Sequence, residues 1–277
     1  MRHLRLPGGG DLPVLGQGTW GMGERRSARE TEVAALRHGL GLGLGLIDTA
    51  EMYGNGGAEE VVGEAIAGRR DEVFLVSKVF PHNASRTGTG EACERSLRRL
   101  GTDHLDLYLL HWRGGTPLAE TLEAFEGLRA SGKIRYFGVS NFDTDDMREL
   151  WEHESGRRIA TNQVLYNLTR RGIEYDLLPW CREREVPVMA YSPIEQGRLL
   201  GDSELKRIAD RHSATPAQIA IAWVLAAEGV CAIPKAATRE HVEQNHAALD
   251  IELSEEDLAA LDVRFPAPGH AVPLEIL

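Results

Sequence analysis

Val73-Phe74-Leu75-Val76-Ser77-Lys78-Val79 is a short apolar, β-rich run, the segment from Gly90 to Leu100 carries apolar residues three and four positions apart, and Leu105-Asp106-Leu107-Tyr108-Leu109-Leu110 is a second apolar run. The two runs suit strands buried on both faces, and the segment between them suits an amphipathic helix laid over the sheet. The same pattern continues outward in both directions. Further strands are expected near Leu15–Gly18 and at Leu46–Ile47, Ile134–Val139, Thr161–Leu165, Val186–Ala190 and Val230–Ile233. Outer helices are expected at Arg29–Leu40, Ala58–Ala67, Leu118–Ala130, Thr144–His153, Tyr175–Arg184, Ser203–Arg211 and Arg239–Leu249. Strands flanked by helices throughout imply a parallel sheet, and eight such pairs within 277 residues favour closure into a (β/α)8 TIM barrel. No linker or break in composition marks a second domain, so residues 1–277 read as one barrel domain.

Before the first pair, Leu4–Leu6 and Leu12–Val14 flank Pro7-Gly8-Gly9-Gly10-Asp11 and read as an N-terminal β-hairpin. Thr215–Ala227, with Pro216 after a capping Thr215, and Ser254–Leu261 read as extra helices beyond the eight. A formal charge of −11 argues against a surface for nucleic acid or anionic lipid. Three widely spaced cysteines suggest neither a disulfide framework nor a zinc site, and fit a reducing cytoplasm. The start has no apolar core of signal-peptide length, and Leu40–Ile47 is too short to span a bilayer.

In barrels of this kind the C-terminal strand ends form the working face. Asp48 ends the run Leu46-Ile47, with Tyr53 following in a glycine-rich loop; Lys78 follows Ser77, and His111 follows Leu110. Singly, each has an ordinary explanation as a cap, a loop aromatic, a solvated strand end or a satisfied histidine. Together they place an acid, a phenol, an amine and an imidazole on one rim. A phenol of pKa about 10 is a poor acid or base at neutral pH, and an adjacent ammonium is expected to lower that value. Lys78 fits that part, with Asp48 holding it charged and His111 aligning a carbonyl oxygen.

The chain resembles the aldo-keto reductases over nearly its whole length, in the bacterial type with a short C-terminal tail. The likeness rests on Gly16-Gln17-Gly18-Thr19-Trp20, Ile47-Asp48-Thr49-Ala50-Glu51-Met52-Tyr53-Gly54, Gly138-Val139-Ser140-Asn141-Phe142, Asn162-Gln163, Tyr191-Ser192-Pro193 and Ile233-Pro234-Lys235. It implies a metal-free, NAD(P)H-dependent reduction of aldehydes or ketones to alcohols, with the tetrad Asp48, Tyr53, Lys78 and His111 and with Tyr53 giving the proton. Around the cofactor it implies Ser140, Asn141 and Gln163 on the nicotinamide carboxamide and Tyr191 stacked on the ring. The strand-end and loop residues Gly18, Thr19, Trp20, Ile233 and Pro234 are included in the same site. Ser192, Pro193, Ile194, Gly197 and Leu199 belong to a segment folded over the pyrophosphate, where backbone N–H groups meet an anion.

Lys235, with Ala236, His241, Gln244 and Asn245, stands at the adenosine 2′-phosphate, which points to NADPH. Ala236, His241 and Gln244 replace the commoner serine, arginine and glutamate; the missing guanidinium clamp admits NADH as a second cofactor. Trp20, Phe80 and Trp112 are expected to wall a small carbonyl substrate. The short tail from Phe265 to Leu277 predicts an open pocket, and the partner set is the substrate alone, on a monomer or weak oligomer.

Other readings fit less well. Gly16-Gln17-Gly18-Thr19-Trp20-Gly21 matches a dinucleotide-binding glycine pattern, but no helix opens at Gly21 and Asp48 lies too far on. A metal-dependent hydrolase lacks paired histidines of ligand spacing. A different class, a nicotinamide-cofactor-binding regulatory subunit with little turnover, resembling potassium-channel β subunits, would keep the fold and act on a partner.

Overall fold

A computed structural model describes residues 2–277. The chain opens with an antiparallel hairpin, β1 (His3–Arg5) and β2 (Asp11–Pro13), in which Leu4 faces Leu12. Eight strands follow: β3 (Gly16–Gly18), β4 (Leu46–Asp48), β5 (Phe74–Val79), β6 (Leu105–Leu110), β7 (Ile134–Ser140), β8 (Asn162–Leu165), β9 (Val188–Tyr191) and β10 (Val230–Ala232). Each pairs in parallel with its neighbour in chain order. Parallel bridges from Leu15 to Ala232 and from Gly18 to Lys235 join the first strand to the last and close the barrel. The join is tight. A Cβ on Gly18 would stand 2.6 Å from the carbonyl oxygen of Ile233, so only glycine allows the backbones to meet there.

Period-two alternation decides what faces the barrel axis. Leu46, Val76, Leu107, Leu109, Met189 and Cys231 form the interior cluster, and Leu6 and Leu12 of the hairpin region pack into it from below. Ile47, Leu75, Val79 and Leu110 join the outer cluster beneath the helices instead. Two residues beyond Leu46, Val76 and Leu109, the inward-facing positions are Asp48, Lys78 and His111.

The helices are α1 (Arg29–Gly41), α2 (Gly57–Ile66), α3 (Arg86–Leu100), α4 (Leu118–Ala130), α5 (Thr144–Glu152), α6 (Leu177–Glu183), α7 (Ser203–Arg211), α8 (Pro216–Ala226), α9 (Arg239–Ala247) and α10 (Glu255–Arg264). α3 starts four residues earlier than its apolar spacing suggests, because Ser85 caps it by accepting from the Gly88 amide at 3.1 Å. α6 is shorter than expected: residues 172–174 form a separate 3-10 turn, and Asp176 has a non-helical backbone with no capping bond. The expected caps at Thr215 and Ser254 are both present as reciprocal capping boxes. One assignment changes. Both α7 and α8 lie between β9 and β10; α8, read from the sequence as an addition, packs on β10 as the barrel helix of that connection, while α7 packs on α8 and α10 and is itself the addition. The stretch Ile219–Leu225 is buried all round, as a helix lacking a polar face must be.

Candidate active site

Asp48, Lys78 and His111 end on the same rim, and all three are buried. The Lys78 ammonium donates to Asp48 Oδ2 at 2.8 Å, to the Thr49 carbonyl at 2.8 Å and to the Tyr53 hydroxyl at 3.2 Å. That accounts for its three hydrogens. The second oxygen of Asp48 accepts from Gln163 Nε2 at 2.8 Å, so the carboxylate is held from two sides. Tyr53 opens a single turn whose next residues, Gly54 and Asn55, are left-handed at φ 55° and 53°, which folds the loop back over the strand ends. Glu51 pins that loop: its carboxylate accepts from the Phe80 amide at 2.8 Å and from Asn83 Nδ2 at 3.0 Å. The Tyr53 and His111 rings meet edge to face, with centroids 5.6 Å apart.

The electrostatics correct one expectation. The net Tyr53 pKa is not lowered: burial, with the Asp48 charge adding to it, holds it well above the ordinary value of 10.0 despite the adjacent Lys78. Burial likewise lowers Lys78, opposed by Asp48. Desolvation of the phenolate prevails over the adjacent ammonium. The phenol is therefore protonated at neutral pH, the form that can pass a proton to a developing alkoxide, and the neighbouring ammonium favours the phenolate that the transfer leaves.

Burial, reinforced by the Lys78 charge, pushes His111 down to about 2. His111 is therefore neutral at any working pH, with one ring N–H able to donate. Its Nδ1 is buried with no protein partner among the described residues. We expect kcat/KM for aldehyde reduction to show no His111 limb between pH 8 and pH 5. A tenfold change centred near the unperturbed pKa of about 6.5 would show that the ring titrates normally. The sign for stability is separate. The unfolded chain takes up this proton near 6.5 and the folded chain does not, so the fold loses stability as pH falls from 6.5 towards about 2.

Above these groups is a cavity of about 420 Å³. Of the residues named from the sequence, Gly18, Thr19, Trp20, Asp48, Tyr53, His111, Trp112, Ser140, Asn141, Gln163, Tyr191, Ser192, Pro193, Ile194, Gly197, Ile233 and Lys235 line it. Lys78 lies behind Tyr53 and Asp48, with no exposure. Phe80 is not on the wall: it packs behind Trp112, ring centroids 4.8 Å apart, and against His82. Leu199 is packed in the core. Pro234, Ala236, His241, Gln244 and Asn245 lie outside this cavity, after the last strand and on α9.

Five lining residues were not anticipated: Gly21, Met52, Gln196, Ile276 and Leu277. Gly21, Met52 and Gln196 fall within stretches already singled out. The last two do not: the short tail reaches the mouth of the cavity, with Ile276 and Leu277 themselves exposed there. The Leu277 amide donates to the Tyr191 hydroxyl at 3.4 Å, and that hydroxyl donates to Asn141 Oδ1 at 3.0 Å.

The aldo/keto reductase family model matches residues 14–263, nearly the whole barrel. The chain belongs to the aldo/keto reductase family. Methylglyoxal reductase YeaE of Escherichia coli is 57% identical over 100% of this chain and 99% of its own length. Glyoxal reductase of Bacillus subtilis is 35% identical over 94% and 91%. Among solved structures, an aldo/keto reductase from Klebsiella pneumoniae in complex with NADP and acetate superposes with a TM-score of 0.97 at 55% identity, covering 99% of both chains. This aldo/keto reductase is thus an NADP(H)-dependent oxidoreductase that reduces carbonyl groups.

Proposed function

We propose that this enzyme reduces small 2-oxoaldehydes of the methylglyoxal kind, preferring NADPH, with Tyr53 as proton donor. The observation that carries the reading is the Tyr53 hydroxyl held by Lys78 at 3.2 Å in the cavity lining, beside His111. The cavity is small and walled by Trp20, Trp112, Ile276 and Leu277, which suits a compact carbonyl, and curated relatives are named for methylglyoxal and glyoxal.

The donor set suits a dinucleotide. Ser140 and Asn141 line the cavity, held by bonds to the Gln163 carbonyl and the His111 carbonyl at 2.8 and 3.1 Å, and their remaining oxygen lone pairs could accept from a carboxamide. Tyr191 offers a ring face. Gly18, Thr19, Trp20, Ile233 and Pro234 form the adjoining edge, and 192–201 covers the pyrophosphate. Lys235 would hold the 2′-phosphate of NADPH, with Ala236, His241, Gln244 and Asn245 nearby for the adenosine. When bound, the nicotinamide supplies the hydride to the carbonyl carbon. His111 donates to the carbonyl oxygen and orients it, Tyr53 passes its proton to that oxygen as charge develops, and Lys78 beside the resulting phenolate stabilises it until water returns the proton.

The enzyme acts as a monomer or weak oligomer in a reducing cytoplasm, with neither nucleic acid nor membrane as partner. Three free, buried cysteines and the −11 charge support this, and among the described residues no helix is long and apolar enough to cross a membrane. The regulatory-subunit reading is not favoured, because the relatives are named as reductases.

Methylglyoxal, glyoxal, simple ketones and sugars, each followed at the nicotinamide absorbance with NADPH and NADH in turn, test the proposal. Methylglyoxal with NADPH should give the highest kcat/KM, with measurable but weaker NADH use. A sugar as best substrate would refute the substrate class, and tight NADPH binding without turnover of any aldehyde would favour the regulatory reading.

A further inference from the structure

Arg170, just past β8, holds two carboxylates from different parts of the site. Its Nε and Nη2 donate to Glu195 Oε1 at 3.2 and 3.0 Å, and its Nη1 donates to Glu275 Oε1. Glu195 lies in the segment 192–201, five of whose residues line the cavity, whereas Glu275 directly precedes Ile276 and Leu277, which line it too. Glu195 is buried, and its other oxygen accepts from Asn167 Nδ2 at 2.8 Å; the same amide donates to the Ser192 carbonyl at 2.9 Å. Burial alone would raise the Glu195 pKa, but the bonds from Arg170 and Asn167 hold it below its usual range. The carboxylate therefore stays charged and tied.

The backbone it restrains is strained. Ser192, Glu195 and Gln196 have φ of 49°, 49° and 54°, a region that residues with side chains occupy only when surrounding contacts impose it. The bonds that Glu195 makes therefore help to hold the segment in this conformation. The grip on Glu195 and the grip on the tail are the same guanidinium. A planar fork can hold two carboxylates at once, which a single ammonium does poorly.

We propose that Arg170 is a positioning residue that couples cofactor seating to the substrate wall. NADPH settling beneath 192–201 fixes Glu195, Arg170 passes that restraint to Glu275, and Ile276 and Leu277 are thereby held against the carbonyl. The coupling rests on the reading that 192–201 covers the cofactor. Hydrogen exchange with and without NADPH separates the two. In the unaltered enzyme NADPH should slow exchange both in 192–201 and in 266–277. In Arg170→Ala and in Glu275→Gln the slowing should persist in 192–201 and disappear from 266–277. Glu275→Gln, a near-isosteric change on a half-exposed side chain that leaves the fold intact, should raise KM for the carbonyl on the order of tenfold more than it changes kcat. A tail indifferent to NADPH in the unaltered enzyme, or still slowed in both variants, overturns the coupling and leaves the cofactor placement standing. No slowing at 192–201 overturns both.

Discussion

Tyr53→Phe will reduce turnover by roughly 10² or more while leaving NADPH affinity nearly unchanged. The ring keeps its shape and its edge contact with His111, and only the hydroxyl is lost. That hydroxyl has one protein neighbour that matters, the Lys78 ammonium at 3.2 Å, and its proton is held firmly by burial. Without it the carbonyl oxygen must take its proton from water, which no side chain positions for the transfer. Single-turnover kinetics at saturating NADPH isolate the step. If the phenylalanine variant turns over at the full rate, Tyr53 is not the donor.

The second large effect separates chemistry from stability. Lys78 is fully buried, and Asp48 is almost as deep. Lys78→Met leaves the Asp48 carboxylate with only the Gln163 amide, and breaking a buried pair in this one-sided way costs about 3–5 kcal/mol. Urea denaturation should show a loss of that size, and turnover should fall by roughly 10² or more as the phenol loses its cationic neighbour. Adding Asp48→Asn removes the stranded charge. The double variant should therefore regain most of the stability and little of the activity. Recovery of turnover in the double variant would show that the ammonium serves folding alone.

Sequence reasoning reached Asp48, Lys78 and His111 as polar residues ending apolar runs, and Tyr53 from the glycine-rich loop after Asp48; the structure shows why the strand-end residues share a rim. A strand that alternates between core and helix faces continues its alternation to its last residue, so Val76 facing the axis puts Lys78 there as well. The parts it missed depend on geometry with no period. Phe80 precedes a 3-10 turn at Pro81–Asn83, and the turn determines whether its ring faces the cavity or the back of Trp112. Ile276 and Leu277 are placed by Arg170 holding Glu275, a bond between residues 105 apart with no local pattern to announce it. The direction of the Tyr53 shift was misjudged because one ammonium was weighed without the burial and the carboxylate that accompany it. The role of α8 was legible after all: its continuous apolar run predicts complete burial, and additions on a surface are not wholly apolar.

The hairpin that seats Leu6 and Leu12 under the strands gives the molecule a working end and an inert one. Arg5 and Asp11 sit on that inert side, exposed and paired with each other. An anchor attached there would fasten the enzyme to a bead or an electrode with its doorway turned toward the liquid, so reagents could reach every immobilised copy without any change to the residues that do the work.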